Sequence, residues 1–234
     1  MFGSGTVSRK RARPYSSGGY YVNRPFKRPR RKVYIRSPAA RAAMVKKSFN
    51  SESNYVDVAA TNYVLNTLGN VQLINTIPQG ASVNERIGKK AVLTSLNLKG
   101  YLFNDALAVY NDIAVLIVYD RRPTGALPAV TDILDTAHSV SFNKDDNSSR
   151  FRIIRRFEDM LVGGSSGTLT ESTYKAFDHY IPLRSLPVVY KSAGTGAIGD
   201  IEQGALYLVT VGNTAAGNTD ATLYTGMRLR FKDT

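Results

Sequence analysis

The 234-residue chain contains no cysteine and only two histidines, His138 and His179. Without cysteine it forms neither a disulfide nor a thiolate metal site, which suits a reducing compartment. With two histidines, a catalytic triad or a His-rich metal centre has little material. No apolar run approaches the ~18–20 residues of a membrane helix, so membrane insertion is not expected. The longest run, residues 113–119, is strand-sized. The N-terminus is basic with no apolar stretch after it and does not read as a secretory signal. One further absence is local. Residues 1–50 contain 14 Lys and Arg and not one Asp or Glu, whereas residues 51–234 contain 17 basic and 18 acidic residues. The net charge of +13 therefore divides into +14 on an arm and −1 on a body, which excludes a uniformly basic surface protein.

The arm, 1–50, reads as disordered. It carries Pro14, Pro25, Pro29 and Pro38 among several glycines, its like charges repel, and no periodic apolar face offsets the cost of ordering the backbone. Residues 39–47 have the pattern of a short helix. The cations are Arg9, Lys10, Arg11, Arg13, Arg24, Lys27, Arg28, Arg30, Arg31, Lys32, Arg36, Arg41, Lys46 and Lys47. A flexible segment of this kind brings many cations to a polyanion at once and releases its counterions. Tyr15, Tyr20, Tyr21, Phe26 and Tyr34 are interleaved with them; aromatic rings stack on unpaired bases, which favours single strands over duplex. The two clusters Arg9-Lys10-Arg11 with Arg13, and Lys27-Arg28-Pro29-Arg30-Arg31-Lys32, also resemble a two-part nuclear import signal. A solvated tail serving solubility needs far less charge.

The body, 51–234, is long enough for one domain with its own core. Alternating or β-branched runs bounded by Gly, Pro, Asn and Asp predict strands near 55–59, 71–77, 91–103, 112–119, 150–157, 174–182, 205–212 and 221–231. Residues 131–136 predict a helical turn, and 163–167 and 194–199 are Gly-rich connectors. The expected fold is all-β, a single jelly roll (an eight-stranded β-sandwich) behind a disordered basic N-terminal arm.

Two strands predict rows of cations. Met227, Leu229 and Phe231 point one way, and Arg228, Arg230 and Lys232 the other. Phe151, Ile153 and Phe157 share a face opposite Arg150, Arg152 and Arg156, although Ile154 and Arg155 break this alternation. Both rows are candidate nucleic-acid contacts; equally, both fit an ordinary solvent face paired with the acids of the body. Residues 112–119 are apolar on both faces and predict a strand covered on both sides, by the domain itself or by another subunit.

Other patterns carry less. Gly194-Thr195-Gly196-Ala197-Ile198-Gly199 satisfies G-x-G-x-x-G, but a strand rather than a helix follows, so a strand-to-strand loop is expected instead of a dinucleotide site. An Asp-His-Ser set from Asp178, His179, His138 and Ser139 lacks a nucleophile elbow. Asp145-Asp146 and Glu158-Asp159 read as loop charges. No catalytic residue, metal ligand or cofactor is assigned.

Three segments, in order, resemble the coat proteins of geminiviruses and related small circular single-stranded DNA viruses. They are Arg86-Ile87-Gly88-Lys89-Lys90 with the strand through Leu93, Leu96 and Gly100; Val118-Tyr119-Asp120-Arg121-Arg122-Pro123 after an apolar strand; and Arg150-Phe151-Arg152-Ile153 leading to Val162-Gly163-Gly164. The Tyr-, Pro- and Arg-rich arm is similar as well. Those coat proteins usually carry cysteines in a zinc-finger-like stretch, and this shorter chain has none, so no zinc role carries over and a relative of the geminiviruses is expected.

The resemblance implies a jelly-roll subunit, many copies of which form an icosahedral shell around circular single-stranded DNA. It implies an arm inside the shell, an encounter with a host nuclear import receptor, and a location in the virion and, during assembly, the host nucleus. A shell of about sixty copies would set arms of +14 against on the order of 840 phosphates. The expected role is structural, not enzymatic. The alternatives are a nuclear shuttle or movement protein of the same lineage and a cellular nucleic-acid-binding β module.

Overall fold

The computed structural model describes residues 54–104, 110–162, 174–191 and 194–234. The arm, the expected helix at 39–47 and the connector at 163–167 lie outside them. The strands are β1 (Asn54–Val64), β2 (Asn70–Leu73), β3 (Lys90–Asn104), β4 (Tyr110–Asp120), β5 (Phe151–Val162), β6 (Tyr174–Tyr190), β7 (Ile201–Gln203), β8 (Ala205–Gly212) and β9 (Ala221–Asp233), with an α-helical turn, α1 (Val130–Ile133), and 3-10 turns at Asp145–Asn147 and Ile198–Asp200. They form two antiparallel sheets, in the orders β1-β9-β3-β6-β7 and β2-β8-β4-β5.

The ladders β4·β5, β3·β6, β2·β8 and β1·β9 nest inside one another along the chain. A chain folded back at the β4–β5 connection pairs in this way, and wrapping the resulting ribbon into two facing sheets makes a jelly roll. Eight strands account for it, as expected. The ninth, β7, is a three-residue addition paired only with Val189 and Tyr190 of β6.

Strand limits differ from expectation where a local interaction overrides the alternation. β2 ends at Leu73 rather than 77 because Asn75 replaces the ladder: its side chain accepts from Leu206 N–H at 2.8 Å and donates to Gly204 C=O at 3.0 Å. β1 runs on past 59 through a register shift between Val58 and Thr61. β6 continues through Pro182 and Pro187, which a sequence reading takes as breakers. Both are tolerated because residues 174–188 have a ladder partner on one side only among the described residues, and no partner on the other side needs their missing N–H.

β4 is covered on both sides within the domain. Ile113, Val115, Ile117 and Tyr119 face the opposite sheet; Ala114, Leu116, Val118 and Asp120 face outward, yet all four are 0 % exposed. The segment between β4 and β5 lies over them, with Val130, Ile133 and Leu134 joining the same core. α1 starts one residue earlier and is shorter than the expected 131–136, and its first turn is capped by the Asp132 carboxylate accepting from Ala129 N–H at 2.9 Å.

Arg86 is the largest fully buried side chain. Its guanidinium lies 4.3 Å from the centroid of the Tyr190 ring and donates to Gly88 C=O at 2.6 Å and Lys191 C=O at 3.4 Å. Among the described residues it has no carboxylate partner. Burial pushes the Tyr190 hydroxyl well above its ordinary pKa, so it stays neutral and donates to Asn75 C=O. A flat, five-donor cation fits between a ring and two carbonyls where an ammonium does not. We predict that Arg86→Lys lowers unfolding free energy by about 2 kcal/mol in urea denaturation, through lost hydrogen bonds and stacking.

Candidate nucleic-acid interface

Of the expected nucleic-acid contacts, those of the arm (Arg9 through Lys47) lie outside the described residues. The six in the body are placed as follows.

The β9 row forms as expected. Met227, Leu229 and Phe231 are buried, Arg228 and Arg230 are exposed, and Lys232 is half-buried. The outer face of this sheet is nonetheless mixed in charge. Arg228 makes a two-pronged pair with Asp57 on β1, at 2.7 Å each, and lies 4.6 Å from the Tyr55 ring centroid. The hydrogen bond from Arg228 holds the Asp57 carboxyl below the usual range. Lys99 pairs with Asp178 at 2.9 Å on the same face. Beside these pairs stand three tyrosines from adjacent strands: Tyr101 lies 5.1 Å from Tyr224 and 4.9 Å from Tyr174 between ring centroids. Tyr101 and Tyr224 share the period-2 phase of Lys99 and Arg228, which is the sequence signal that would have found them.

The β5 row does not form. The register with β4 shifts between Ile117 and Val118, which pair with Arg155 and Ile153. Ile154 is therefore a bulge, and it reverses the phase of the strand. Phe157 shares a face with Arg152 and Arg155, not with Phe151 and Ile153, because cross-strand partners share a face. The break at Ile154-Arg155 was the mark of that bulge.

The three arginines expected in that row consequently have three environments. Arg150 binds the Asp120 carboxylate through Nε and Nη2, at 2.9–3.2 Å, and lies 4.5 Å from the Phe151 ring centroid. Asp120 is fully buried; it also accepts from Arg122 N–H at 2.9 Å, and Tyr207 Oη approaches to 3.5 Å. The bond to Asp120 raises the already high Arg150 pKa, and burial followed by the Asp120 charge raises that of Tyr207, so both remain protonated donors. Arg156 donates to Ser139 C=O at 2.6 Å and Ser141 C=O at 2.7 Å, and its Nε lies 2.5 Å from Glu158 Oε1. It fastens the loop that carries the exposed Phe142. Only Arg152 turns toward the open edge between β5 and β6. There it shares a groove with Arg155 and Arg184, two cations that sequence reasoning missed.

The weaker patterns resolve locally. Gly194–Gly199 links β6 to the three-residue strand β7, as a loop, and Gly196 has φ of +80° where the backbone passes Ile77. Asp178 faces outward to Lys99, while His179 faces inward, stacked 4.4 Å from Phe157 and 5.6 Å from Phe177. Asp and His side chains on opposite faces of a strand do not form one catalytic set. Asp159 pairs with Lys175, Glu158 with Arg156, and Asp145-Asp146 lie in an exposed 3-10 turn.

These contacts generate two predictions. Asp120→Asn leaves a partly buried guanidinium without its counter-charge and is expected to cost about 2–4 kcal/mol in urea denaturation. Arg156→Gln releases two loop carbonyls; hydrogen exchange of residues 136–142 is expected to quicken at least several-fold while the β4 amides stay protected.

The model of the geminivirus coat protein/nuclear export factor BR1 family matches residues 9–234. The capsid protein of Tomato yellow leaf curl Sardinia virus is 27% identical over 117 residues, covering 47% of this chain and 46% of that protein. The chain thus spans about half the length of that relative. The capsid protein of Tomato golden mosaic virus (strain Yellow vein) is 25% identical over 244 residues, covering 98% and 94%. That of Miscanthus streak virus is 28% identical over 192 residues, covering 71% and 74%. Among solved structures, Desmodium yellow mottle tymovirus is similar at 11% identity and a TM-score of 0.32, covering 100% of this chain and 96% of that one. The missing cysteines do not take the chain out of the family: it belongs to the geminivirus coat protein/nuclear export factor BR1 family.

Proposed function

We infer that this is a viral capsid protein that self-assembles into an icosahedral shell and packages single-stranded DNA through its basic arm. The observation that carries the reading is that one family match runs continuously from residue 9 in the cationic arm to residue 234 at the end of the jelly roll. Arm and body thus belong to one kind of protein, and the relatives above are named capsid proteins. Their role is structural rather than enzymatic.

The division of charge supports the same reading. A body of formal charge −1 packs against copies of itself without accumulating repulsion, while an arm of +14 neutralises phosphates. Phosphate contacts carry no base information, so packaging by the arm is indifferent to sequence. Residues 1–50 act as the nucleic-acid-binding segment and residues 51–234 as the shell domain. The clusters around Arg9–Arg13 and Lys27–Lys32 engage a host import receptor before assembly in the nucleus.

A second reading is favoured by the family's own description, which also covers a nuclear export factor. Such a protein binds DNA but does not close into particles. Electron microscopy of the expressed chain, with absorbance at 260 and 280 nm, separates the two. Uniform closed shells containing nucleic acid are expected; a monodisperse monomer under varied salt and pH would overturn the capsid reading. Independently, binding of a single-stranded oligonucleotide should weaken with salt at a log–log slope of about −0.7 per phosphate contacted. Replacing the 14 arm cations by Gln should remove most of that slope. Unchanged affinity and slope would exclude the arm as the main DNA site.

A further inference from the structure

We propose that the groove between the open edges of β5 and β6 is a second nucleic-acid contact, in which Arg152, Arg155 and Arg184 hold backbone phosphates of a single strand independently of the arm. The proposal rests on the DNA-packaging reading above and adds to it a site in the folded domain.

The groove has a volume of about 420 Å³, within the ~300–1,000 Å³ of small-ligand clefts. Arg152 and Arg155 line it from β5, and Arg184 and His179 from β6. Among the described residues none of the three arginines has an ion pair; Arg155 only approaches the Phe157 ring, 5.4 Å from its centroid. This sets them apart from Arg150, Arg156 and Arg228, each of which meets a carboxylate. Three guanidiniums on one cleft repel one another, and an anion between them relieves that repulsion. Guanidinium geometry matches phosphate oxygens two at a time.

The backbone is shaped to bring them there. The bulge at Ile154 turns Arg152 and Arg155 to the groove side of β5. Across from it, β6 carries a second irregularity. Leu186 pairs with Leu93 and Pro182 with Ser95, so Leu183, Arg184 and Ser185 together oppose Thr94 alone. Within it Arg184 and Ser185 have φ of +52° and +62°, the two non-glycine residues with positive φ among those described. Side-chain-bearing residues are strained in this region, and such strain persists where the surrounding structure imposes it, commonly at binding sites. Two bulges face each other across one cleft, and both bring arginines to it.

A nucleic-acid strand fits better than an isolated anion. Along this stretch neither β5 nor β6 has a ladder partner on the cleft side among the described residues, and Tyr180, bordering the cleft from the outer face of β6, is 68% exposed. An exposed ring next to cations is the pairing that binds unpaired bases.

The test uses the full chain in four forms: unaltered, arm-neutral (the 14 arm cations to Gln), groove-neutral (Arg152→Gln, Arg155→Gln, Arg184→Gln), and both together. Binding of a fluorescent oligo-dT is titrated at several KCl concentrations. The arm-neutral protein should keep a residual slope of about −2, from three contacts at about −0.7 each, and the combined variant should lose it. If the combined and arm-neutral proteins have the same slope and affinity, the groove is not a DNA contact. If instead the arm-neutral protein keeps the full slope, the arm reading fails, while the groove is still judged by the difference that its own three substitutions make. A second measurement needs no variant. Photocrosslinking of bromodeoxyuridine-substituted single-stranded DNA to the unaltered chain should label peptides containing Tyr180 or Phe157. Labelling confined to residues 1–50 would overturn the proposal.

Discussion

A fully buried carboxylate, Asp120, governs how the outer layer sits on the sandwich. A charge removed from water must be met by donors, and here Arg150 meets it with two of its nitrogens, Arg122 with its backbone N–H, and Tyr207 from the neighbouring strand. Arg150 and Arg122 stand at the two ends of the segment that leaves β4 and returns as β5. Pinning both ends to one carboxylate closes that segment over the outer face of β4, where Leu116 and Val118 would otherwise meet solvent. The Arg156 grip on Ser139 and Ser141 fastens the same layer farther along.

This gives a physical meaning to the three segments that carry the family resemblance. Arg86 of the first is buried against Tyr190. Asp120 and Arg122 of the second meet Arg150 of the third in the cluster just described. The charges of Arg86, Asp120 and Arg150 are consumed inside the fold as struts between loops. Arg152 of the third segment, with Arg155 and Arg184 on the edge of the sandwich, has no ion pair among the described residues.

Legibility in the sequence followed the range of the forces involved. The β9 alternation was readable because a strand that runs without a bulge keeps its period, and Met227, Leu229 and Phe231 are buried as the pattern required. The double-sided burial of β4 was readable from its unbroken apolar run, although the choice between a covering segment and a covering subunit was not. On β5 a single inserted residue, Ile154, reversed the phase of everything after it. The alternation break announced a bulge but not its consequence, since the face on which Arg155 emerges depends on the register with β4. Arg184 had no readable signal, because its backbone conformation comes from the mismatch between β6 and β3 around Thr94.

By itself, then, the sequence determined the separation of charge into a +14 arm and a −1 body, the all-β character of that body and the resemblance to a family of coat proteins. Each of these is written in composition, periodicity or local order along the chain. The tertiary structure alone decided which arginines are struts and which are open. That choice depends on whether a carboxylate from a distant part of the chain arrives within hydrogen-bonding distance, and only the nesting of the strands brings Asp120 to Arg150 and Asp57 to Arg228 while, among the described residues, bringing no acid to Arg184.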